Sequence, residues 1–108
     1  MLQRLNRQDI QQGLSHLNGW TLDAQALSIH KVVVFESFTT ALRFIAQLGE
    51  LAQAHDHHPE FTSNYTTLAI RLTTHDASGL TTRDLAMAQQ IDQLLEQAYS
   101  GLLAKPPL

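Results

Sequence analysis

The sequence predicts an α+β fold: a four-stranded antiparallel sheet with three helices packed on one face, in the chain order α-β-β-α-β-β-α. Apolar residues recur at helical spacing in three segments, they alternate with polar residues in segments between, and turn or cap residues separate the two patterns. Pairs of strands bounded by helices are typical of helices that cover one side of an antiparallel sheet. The uncovered side and the open edges favour a dimer in which the sheets of two copies join.

The first elements are a short helix and a hairpin. Apolar residues spaced by four and three indicate a helix over residues 7–17, and Asn18-Gly19 ends it. Strands over residues 20–23 and 27–35 follow, and a polar turn joins them.

The middle helix begins after Ser37, which can cap it, and ends near Ala54. Pro59 disfavours helical geometry at His58, so we expect a histidine-rich loop that leaves this helix and enters a strand. The expected inward face of the helix is Phe38, Leu42, Ile45, Leu48 and Leu51.

The last strand covers residues 65–74 and follows a tight connection near residues 63–64. Its residues alternate, with Leu68, Ile70 and Leu72 on one face. A strand that reverses direction over so few residues pairs antiparallel with the one before it.

The last helix opens at Thr81, because Thr81 and Asp84 are spaced as in a capping box. Gly79 supplies the turn before it, and the helix runs to about residue 100. Its expected inward face is Leu85, Ala88, Ile91, Leu95 and Ala98.

Composition limits the class of protein. A chain of 108 residues that is 44% hydrophobic is expected to form a single domain over residues 1–108, with only the tail at 105–108 fraying. The absence of cysteine excludes disulfides and thiolate zinc sites and fits a cytoplasmic location. A net charge of -3 offers no basic stripe for direct nucleic-acid binding, and neither a leader-like segment nor a long apolar run indicates a membrane.

Histidines are concentrated in two loops, at residues 55–58 and 74–76. If the last two strands are antiparallel neighbours, the start of the first lies beside the end of the second, which brings His57 and His58 close to His75. Histidine is the side chain whose unperturbed pKa allows a change of charge between pH 5 and 8. Convergent imidazoles therefore indicate general acid and base catalysis.

Other interpretations remain open for these residues. A metal site is a second possibility, but adjacent side chains in an extended segment point to opposite faces, so His57 and His58 would not easily share one ion. Asp56 is interpreted as a loop residue that bonds its own backbone. His16 and His30 are interpreted as surface or structural histidines.

The spacing of several of these residues resembles the signature of the pterin-4a-carbinolamine dehydratase family. That signature places His57-His58-Pro59 before Tyr65, His75 and Asp84 at matching intervals. Further segments agree in the same order: LNGW at 17–20, KVVVFESF at 31–38, HHPEF at 57–61 and LTTHDASGLTTRD at 72–84.

The resemblance implies a carbon–oxygen lyase that dehydrates 4a-hydroxytetrahydrobiopterin to quinonoid dihydropterin and water during tetrahydrobiopterin recycling. It implies no metal, no bound cofactor, and assembly as a homodimer or homotetramer. By the same resemblance, His57 and His75 are the acid and base, in an order left open, and His58 orients the pterin. The implied substrate-binding residues are Asp56, His57, His58, Thr73, Thr74, His75 and Asp76.

Three further residues are expected to have structural roles. Asp84, in the first turn of a helix, is expected to cap that helix or to fix the loop that carries His75. Trp20 is expected to pack near the sheet that forms the dimer. Tyr65 is expected in the core or in the pocket wall.

Gln53 departs from the family pattern, which usually has an ionisable side chain four residues before the first signature histidine. An acid there could hold a neighbouring imidazole, taken to be His57, in its protonated form, whereas an amide only hydrogen-bonds. Glu50 and His55 are nearby substitutes. The alternative function is therefore a pterin-binding or protein-interaction module of the same fold with weak catalysis.

Overall fold

The computed structural model describes residues 3–104, and its helices and antiparallel sheet confirm the predicted fold class. The elements are α1 (Arg7–Leu14), β1 (Thr21–Leu22), β2 (Ile29–Val34), α2 (Phe38–His55), β3 (Glu60–Asn64), β4 (Thr67–Leu72) and α3 (Thr82–Tyr99). The strands are ordered β1-β2-β4-β3, and every neighbouring pair is antiparallel. The predicted tail at 105–108 lies outside the described residues.

The central strand β4 shows the predicted alternation, with Leu68, Ile70 and Leu72 fully buried. These residues belong to one apolar cluster with side chains of the helices, such as Phe44 of α2 and Ile91 of α3. The core therefore lies between the helices and one face of the sheet. No helix within residues 3–104 has the length and apolar composition needed to cross a bilayer.

The buried face of α2 differs from the prediction. Ser37 caps the helix as expected, since its hydroxyl accepts a hydrogen bond from the Thr40 amide at 3.2 Å. Phe38 and Leu42 are nevertheless 43% and 47% exposed. The buried positions are Thr40, Ala41, Phe44, Leu48 and Ala52.

Aromatic packing explains which face α2 buries. Phe44 is fully buried and lies 5.3 Å from the rings of both Phe35 and Tyr99, measured between centroids, whereas Ile45 is only partly buried beside the core. Ala41 is also fully buried. Its side chain is small, so a prediction based on large apolar residues did not place it on the buried face.

Helix α3 buries most of its predicted face. Ala88, Ile91 and Leu95 are buried as expected, whereas Leu85 is half-buried and Ala98 is exposed. The last turn packs through Tyr99 instead, whose hydroxyl hydrogen-bonds to Gln47 of α2. Burial raises the pKa of the Tyr99 phenol, so the ring stays neutral in this contact.

Helix α1 is shorter than predicted and ends at Leu14, and turns carry the chain to β1. There Trp20 is buried, and its Nε1 donates to Asp92 Oδ1 of α3 at 2.9 Å. The same carboxylate accepts from Lys31 Nζ at 2.8 Å and from the Asn18 amide at 2.9 Å. Trp20 therefore has a packing role that joins α3 to the first hairpin.

The turn between β3 and β4 lies at residues 65–66, two residues later than predicted. Tyr65 has φ 54° and is 69% exposed, and its ring stacks on Phe38 with centroids 6.2 Å apart. Tyr65 is therefore not in the core, and it is not among the residues that line the candidate active-site cavity described below. No Gly or Asn-Gly pair marks this turn, so the sequence lacked the usual signal for it.

The turn between β1 and β2 is held by one carboxylate. Asp23 accepts from the Leu27 amide at 2.8 Å and from the Ser28 hydroxyl at 2.7 Å. Burial alone would raise the pKa of Asp23, but these hydrogen bonds outweigh it, and the pKa is lowered. This turn contacts the candidate site, because Thr73 Oγ1 donates to the Leu27 carbonyl at 2.6 Å.

Candidate active site

All seven residues predicted to bind the substrate border one open cavity of about 230 Å³. It lies where the end of α2, the end of β4 and the start of α3 meet. The antiparallel pairing of β3 with β4 places the two histidine-bearing loops side by side, as the sequence predicted. The lining residues are Asp56, His57, His58, Thr73, Thr74, His75, Asp76 and Arg83.

A tight reversal of the chain at Asp56 places the adjacent residues His57 and His58 in different environments. Asp56 has φ 48°, and the amides of Asp56 and His57 donate to the carbonyls of Gln53 and Ala52, which closes α2. Aspartate tolerates this left-handed conformation better than most residues. The chain then leaves the helix with His57 buried and His58 exposed.

His57 is held by the carboxylate of Asp84, with Nε2 2.6 Å from Oδ1. Asp84 Oδ2 accepts from Thr74 Oγ1 at 2.7 Å and from the Thr81 amide at 2.9 Å. Asp84 is fully buried, so each of these bonds replaces one to water. One carboxylate therefore caps α3, ties down the strand end before His75 and orients His57.

Asp84 has both of the structural roles expected from the sequence, and it also has a third role. The capping box of α3 is present, and the bond to Thr74 fixes the loop that carries His75. The contact with His57 was not predicted. It fixes the ring: an ionised carboxylate only accepts hydrogen bonds, so Nε2 carries a proton and Nδ1 is left for other partners. Nδ1 makes no hydrogen bond within residues 3–104.

Gln53 contacts His58 rather than His57, with Oε1 2.7 Å from Nε2. The sequence had suggested that the side chain at this position acts on His57. Instead the amide orients the exposed imidazole, while the buried one depends on Asp84. Gln53, the residue that departs from the family pattern, therefore contacts His58, the histidine assigned to orienting the substrate.

The two threonines of the cavity use their hydroxyls to hold the loop. Thr73 bonds the Leu27 carbonyl, and Thr74 bonds Asp84 and the Thr81 hydroxyl. Their side chains are thus occupied, and the amide and carbonyl of Thr74 are also hydrogen-bonded within the loop, to Gly79 and Ala77. The backbone groups of Thr73 are the ones available to a ligand.

His75 begins the short 3-10 turn His75–Ala77 and is exposed. Among the described residues its ring has no hydrogen-bond partner. The turn is closed by the Thr74 amide, which donates to the Gly79 carbonyl at 2.9 Å, and by the Leu5 amide, which donates to the Leu80 carbonyl at 2.8 Å. The loop that carries His75 is therefore fixed at both ends while the ring stays free.

Arg83 is the lining residue that the sequence did not identify. It lies in the first turn of α3, beside Asp84, where only the capping pattern drew attention. Its guanidinium forms no ion pair within the described range, where the pairs are Lys31–Asp92, His57–Asp84 and Arg71–Glu60. The sequence signal that could have identified Arg83 is its position directly before Asp84 of the family signature.

The arrangement of possible metal ligands bears on the second interpretation of the histidines. No three histidine, aspartate or glutamate side chains in this range are close enough together to hold one ion. His57 and His58 point into different environments, so they do not form the start of such a set.

Comparisons with known proteins show which family this chain resembles. A sequence model of the family described as pterin 4 alpha carbinolamine dehydratase matches residues 3–94. A Rhodopseudomonas palustris protein named as a candidate pterin-4-alpha-carbinolamine dehydratase is 37% identical over 97 residues, which cover 90% of this chain and 96% of that protein. A Nostoc punctiforme protein of the same name is 39% identical over 94 residues, which cover 87% and 99%.

Solved structures also resemble this chain. A transcriptional coactivator/pterin dehydratase from Brucella melitensis superimposes with a TM-score of 0.81 at 32% identity, covering 84% of this chain and 97% of that one. A pterin dehydratase-like protein identified as a RuBisCO assembly factor in the alpha-carboxysome gives a TM-score of 0.63 at 22% identity, covering 71% and 89%. The second likeness concerns the fold alone.

Proposed function

Because this chain belongs to the pterin 4 alpha carbinolamine dehydratase family, we propose that it removes water from a 4a-hydroxytetrahydropterin to give quinonoid dihydropterin. The observation that carries this proposal is one cavity that joins an aspartate-held imidazole, His57, to a free imidazole, His75. We assign the reaction to tetrahydrobiopterin recycling after an aromatic amino-acid hydroxylase, in the cytoplasm.

The reaction needs two proton transfers. The bond between C4a and the hydroxyl oxygen breaks as that oxygen accepts a proton and leaves as water. The neighbouring ring nitrogen, N5, loses its proton, and a double bond forms between N5 and C4a. Two groups that titrate near neutrality can serve both transfers, and His57 and His75 are the candidates.

The contacts of His57 support such a role. With Nε2 occupied by Asp84, any proton that His57 exchanges with the substrate passes through Nδ1. An imidazole oriented by a buried carboxylate is a recurring arrangement for a general acid or base, because the ring need not be positioned during the reaction. His75 has no such partner among the described residues, and its ring is exposed at the cavity.

The remaining residues bind the pterin in this proposal. His58, oriented by Gln53, contacts the ring, and Asp56 and Asp76 lie where they can accept hydrogen bonds from amino and amide N–H groups. The backbone of Thr73 supplies a further contact, and Thr74 borders the cavity while its hydroxyl holds the loop. These assignments follow the family signature and the shared cavity.

The dehydration rate of synthetic 4a-hydroxytetrahydropterin with purified protein tests the proposal. We expect acceleration of at least about hundredfold over the uncatalysed rate. Gln53→Glu run beside the wild type is expected to change this rate modestly, since Gln53 contacts the exposed His58. If the wild type matched the uncatalysed rate while Gln53→Glu gained activity, the chain would be a pterin-binding or protein-interaction module instead.

We also propose that the protein forms a homodimer or homotetramer. Strand β3 lies at a sheet edge and all five of its residues are exposed, and Val32 and Val34 present apolar side chains on the open face of β2. Exposed edges and apolar patches of this kind favour association. Analytical ultracentrifugation should show a dimer or tetramer, and a monomer at every concentration would contradict this expectation.

A further inference from the structure

Thr73 lines the candidate active-site cavity, and its backbone N–H and C=O face the side of β4 on which β3 lies. Asn64 and Thr67 flank the two-residue turn between β3 and β4, so they form a hydrogen-bonded pair. Every second residue after Thr67 also directs its backbone groups toward β3. The pairing ends at Glu60 and Arg71, so the N–H and C=O of Thr73, two residues further on, lie beyond the end of the partner strand.

The side chain of Thr73 anchors this backbone to the turn between β1 and β2. Its Oγ1 donates to the Leu27 carbonyl at 2.6 Å, a contact between residues 46 positions apart in the chain. A β-branched side chain has few favourable χ1 rotamers, so a hydrogen bond to its hydroxyl also restricts the main chain that carries it. The position of the Leu27 carbonyl therefore determines where the N–H and C=O of Thr73 lie.

Leu27 is in turn held by Asp23, which is half-buried. Asp23 Oδ1 accepts from the Leu27 amide at 2.8 Å, and Oδ2 accepts from the Ser28 hydroxyl at 2.7 Å. Ala26, between them, has φ 59°, a left-handed conformation that residues other than glycine rarely adopt. Such a conformation persists where the surrounding contacts impose it. The carboxylate of Asp23 supplies two of these contacts, so it sets the direction of the Leu27 carbonyl.

We propose that Asp23 is a positioning residue for the pterin and acts through Leu27 and Thr73. This inference rests on the proposed function, and it concerns a residue that does not line the cavity. The N–H and C=O of Thr73 contact the amide edge of the pterin, which takes no part in breaking the bond between C4a and oxygen. Such a contact stabilises the bound substrate and the transition state alike, so its loss raises KM and leaves kcat nearly unchanged.

The dissociation constant of 7,8-dihydrobiopterin, a stable and neutral pterin, tests this proposal without requiring turnover. Asp23→Ala removes both contacts that hold the turn and should raise this constant about five- to tenfold. The kcat for dehydration should stay within about twofold of the wild type. A structural role alone would instead lower the melting temperature and the folded fraction, and thus the apparent kcat, while the folded protein kept the wild-type dissociation constant.

Conservative variants identify the groups responsible. Asp23→Asn keeps an oxygen for the Leu27 amide and offers an NH₂ group to the Ser28 hydroxyl, so it should recover most of the affinity that alanine loses. Thr73→Val loses the hydroxyl and should weaken binding, whereas Thr73→Ser should recover most of that loss. Asp9→Ala is the matched control, because Asp9 is an exposed aspartate of α1 that does not line the cavity.

The double variant of Asp23→Ala with Thr73→Val tests whether the two residues act through one contact. Its dissociation constant should stay within about twofold of that of Thr73→Val, because the second substitution acts through a hydrogen bond that is already lost. Losses that multiply would show that Asp23 does not act through Thr73 and would overturn the proposal.

The outcomes separate this inference from the proposed function. An unchanged dissociation constant in Asp23→Ala, or a fall in melting temperature and kcat alone, would overturn the positioning role and leave the dehydratase proposal standing. Failure of the wild type to bind dihydrobiopterin would contradict both. If Asp23→Ala does not fold, Ser28→Ala takes its place, since it removes only the contact to Oδ2. It should raise the dissociation constant about two- to threefold, and no change would overturn the proposal.

Discussion

Replacing Asp84 with alanine is expected to lower the free energy of unfolding by about 3–5 kcal/mol and to abolish most dehydratase activity. The substitution removes one fully buried carboxylate and leaves the Thr81 amide, the Thr74 hydroxyl and the His57 ring without an acceptor. The substitution therefore destabilises the start of α3 and, at the same time, releases the imidazole of His57. Denaturant unfolding and the dehydration rate measure the two effects separately.

Two variants make this prediction specific. Asp9→Ala removes an exposed aspartate from the first turn of α1 and should cost less than about 1 kcal/mol. Asp84→Asn keeps the shape and one acceptor oxygen, so we expect it to retain more stability than alanine while still losing activity, because the amide cannot accept at every contact. Full activity in Asp84→Asn would show that the orientation of His57 does not depend on the carboxylate.

His75→Ala is expected to lower kcat/KM by about 10²- to 10⁴-fold, the usual contribution of a general acid or base. His75 is exposed and unbonded among the described residues, so its removal should leave the melting temperature nearly unchanged. The loss can then be assigned to chemistry rather than to unfolding. Steady-state kinetics and a thermal melt on the same preparation provide the measurement.

His16→Ala is the matched control for His75, because His16 is an exposed histidine in the turn after α1 and does not line the candidate active site. It should behave as the wild type does. In the double variant His57→Ala and His75→Ala, the loss should be less than the product of the single losses if the two imidazoles act as a unit. Activity of His75→Ala within about threefold of the wild type would contradict the assigned role.

The sequence was sufficient for the order of elements and for the position of the candidate site. Alternation in β4 and the capping pattern at Thr81 depend on local spacing, which a sequence displays directly. The antiparallel order of two neighbouring strands brings His57 and His75 to the same cavity. These features need no knowledge of contacts between distant side chains.

Features that depend on tertiary packing were not predicted. The face that α2 buries is decided by Phe44 meeting Tyr99, which lies 55 positions later in the chain. The partner of Gln53 depends on the direction in which the reversal at Asp56 sends each imidazole, and spacing alone suggested the wrong one. Arg83 was missed because a side chain in a first helical turn can point to several neighbours.

Because of the reversal at Asp56, the placement of His57 and His58 depends on the number of residues in this loop. Surface loops generally accept insertions and deletions, but here two identical neighbours, His57 and His58, are distinguished only by their place after the reversal. A deletion of one residue from this segment would present His58 where His57 meets Asp84. We expect natural variants of this protein to keep His57 and His58, to exchange other side chains in the segment before Pro59, and to keep its residue count constant.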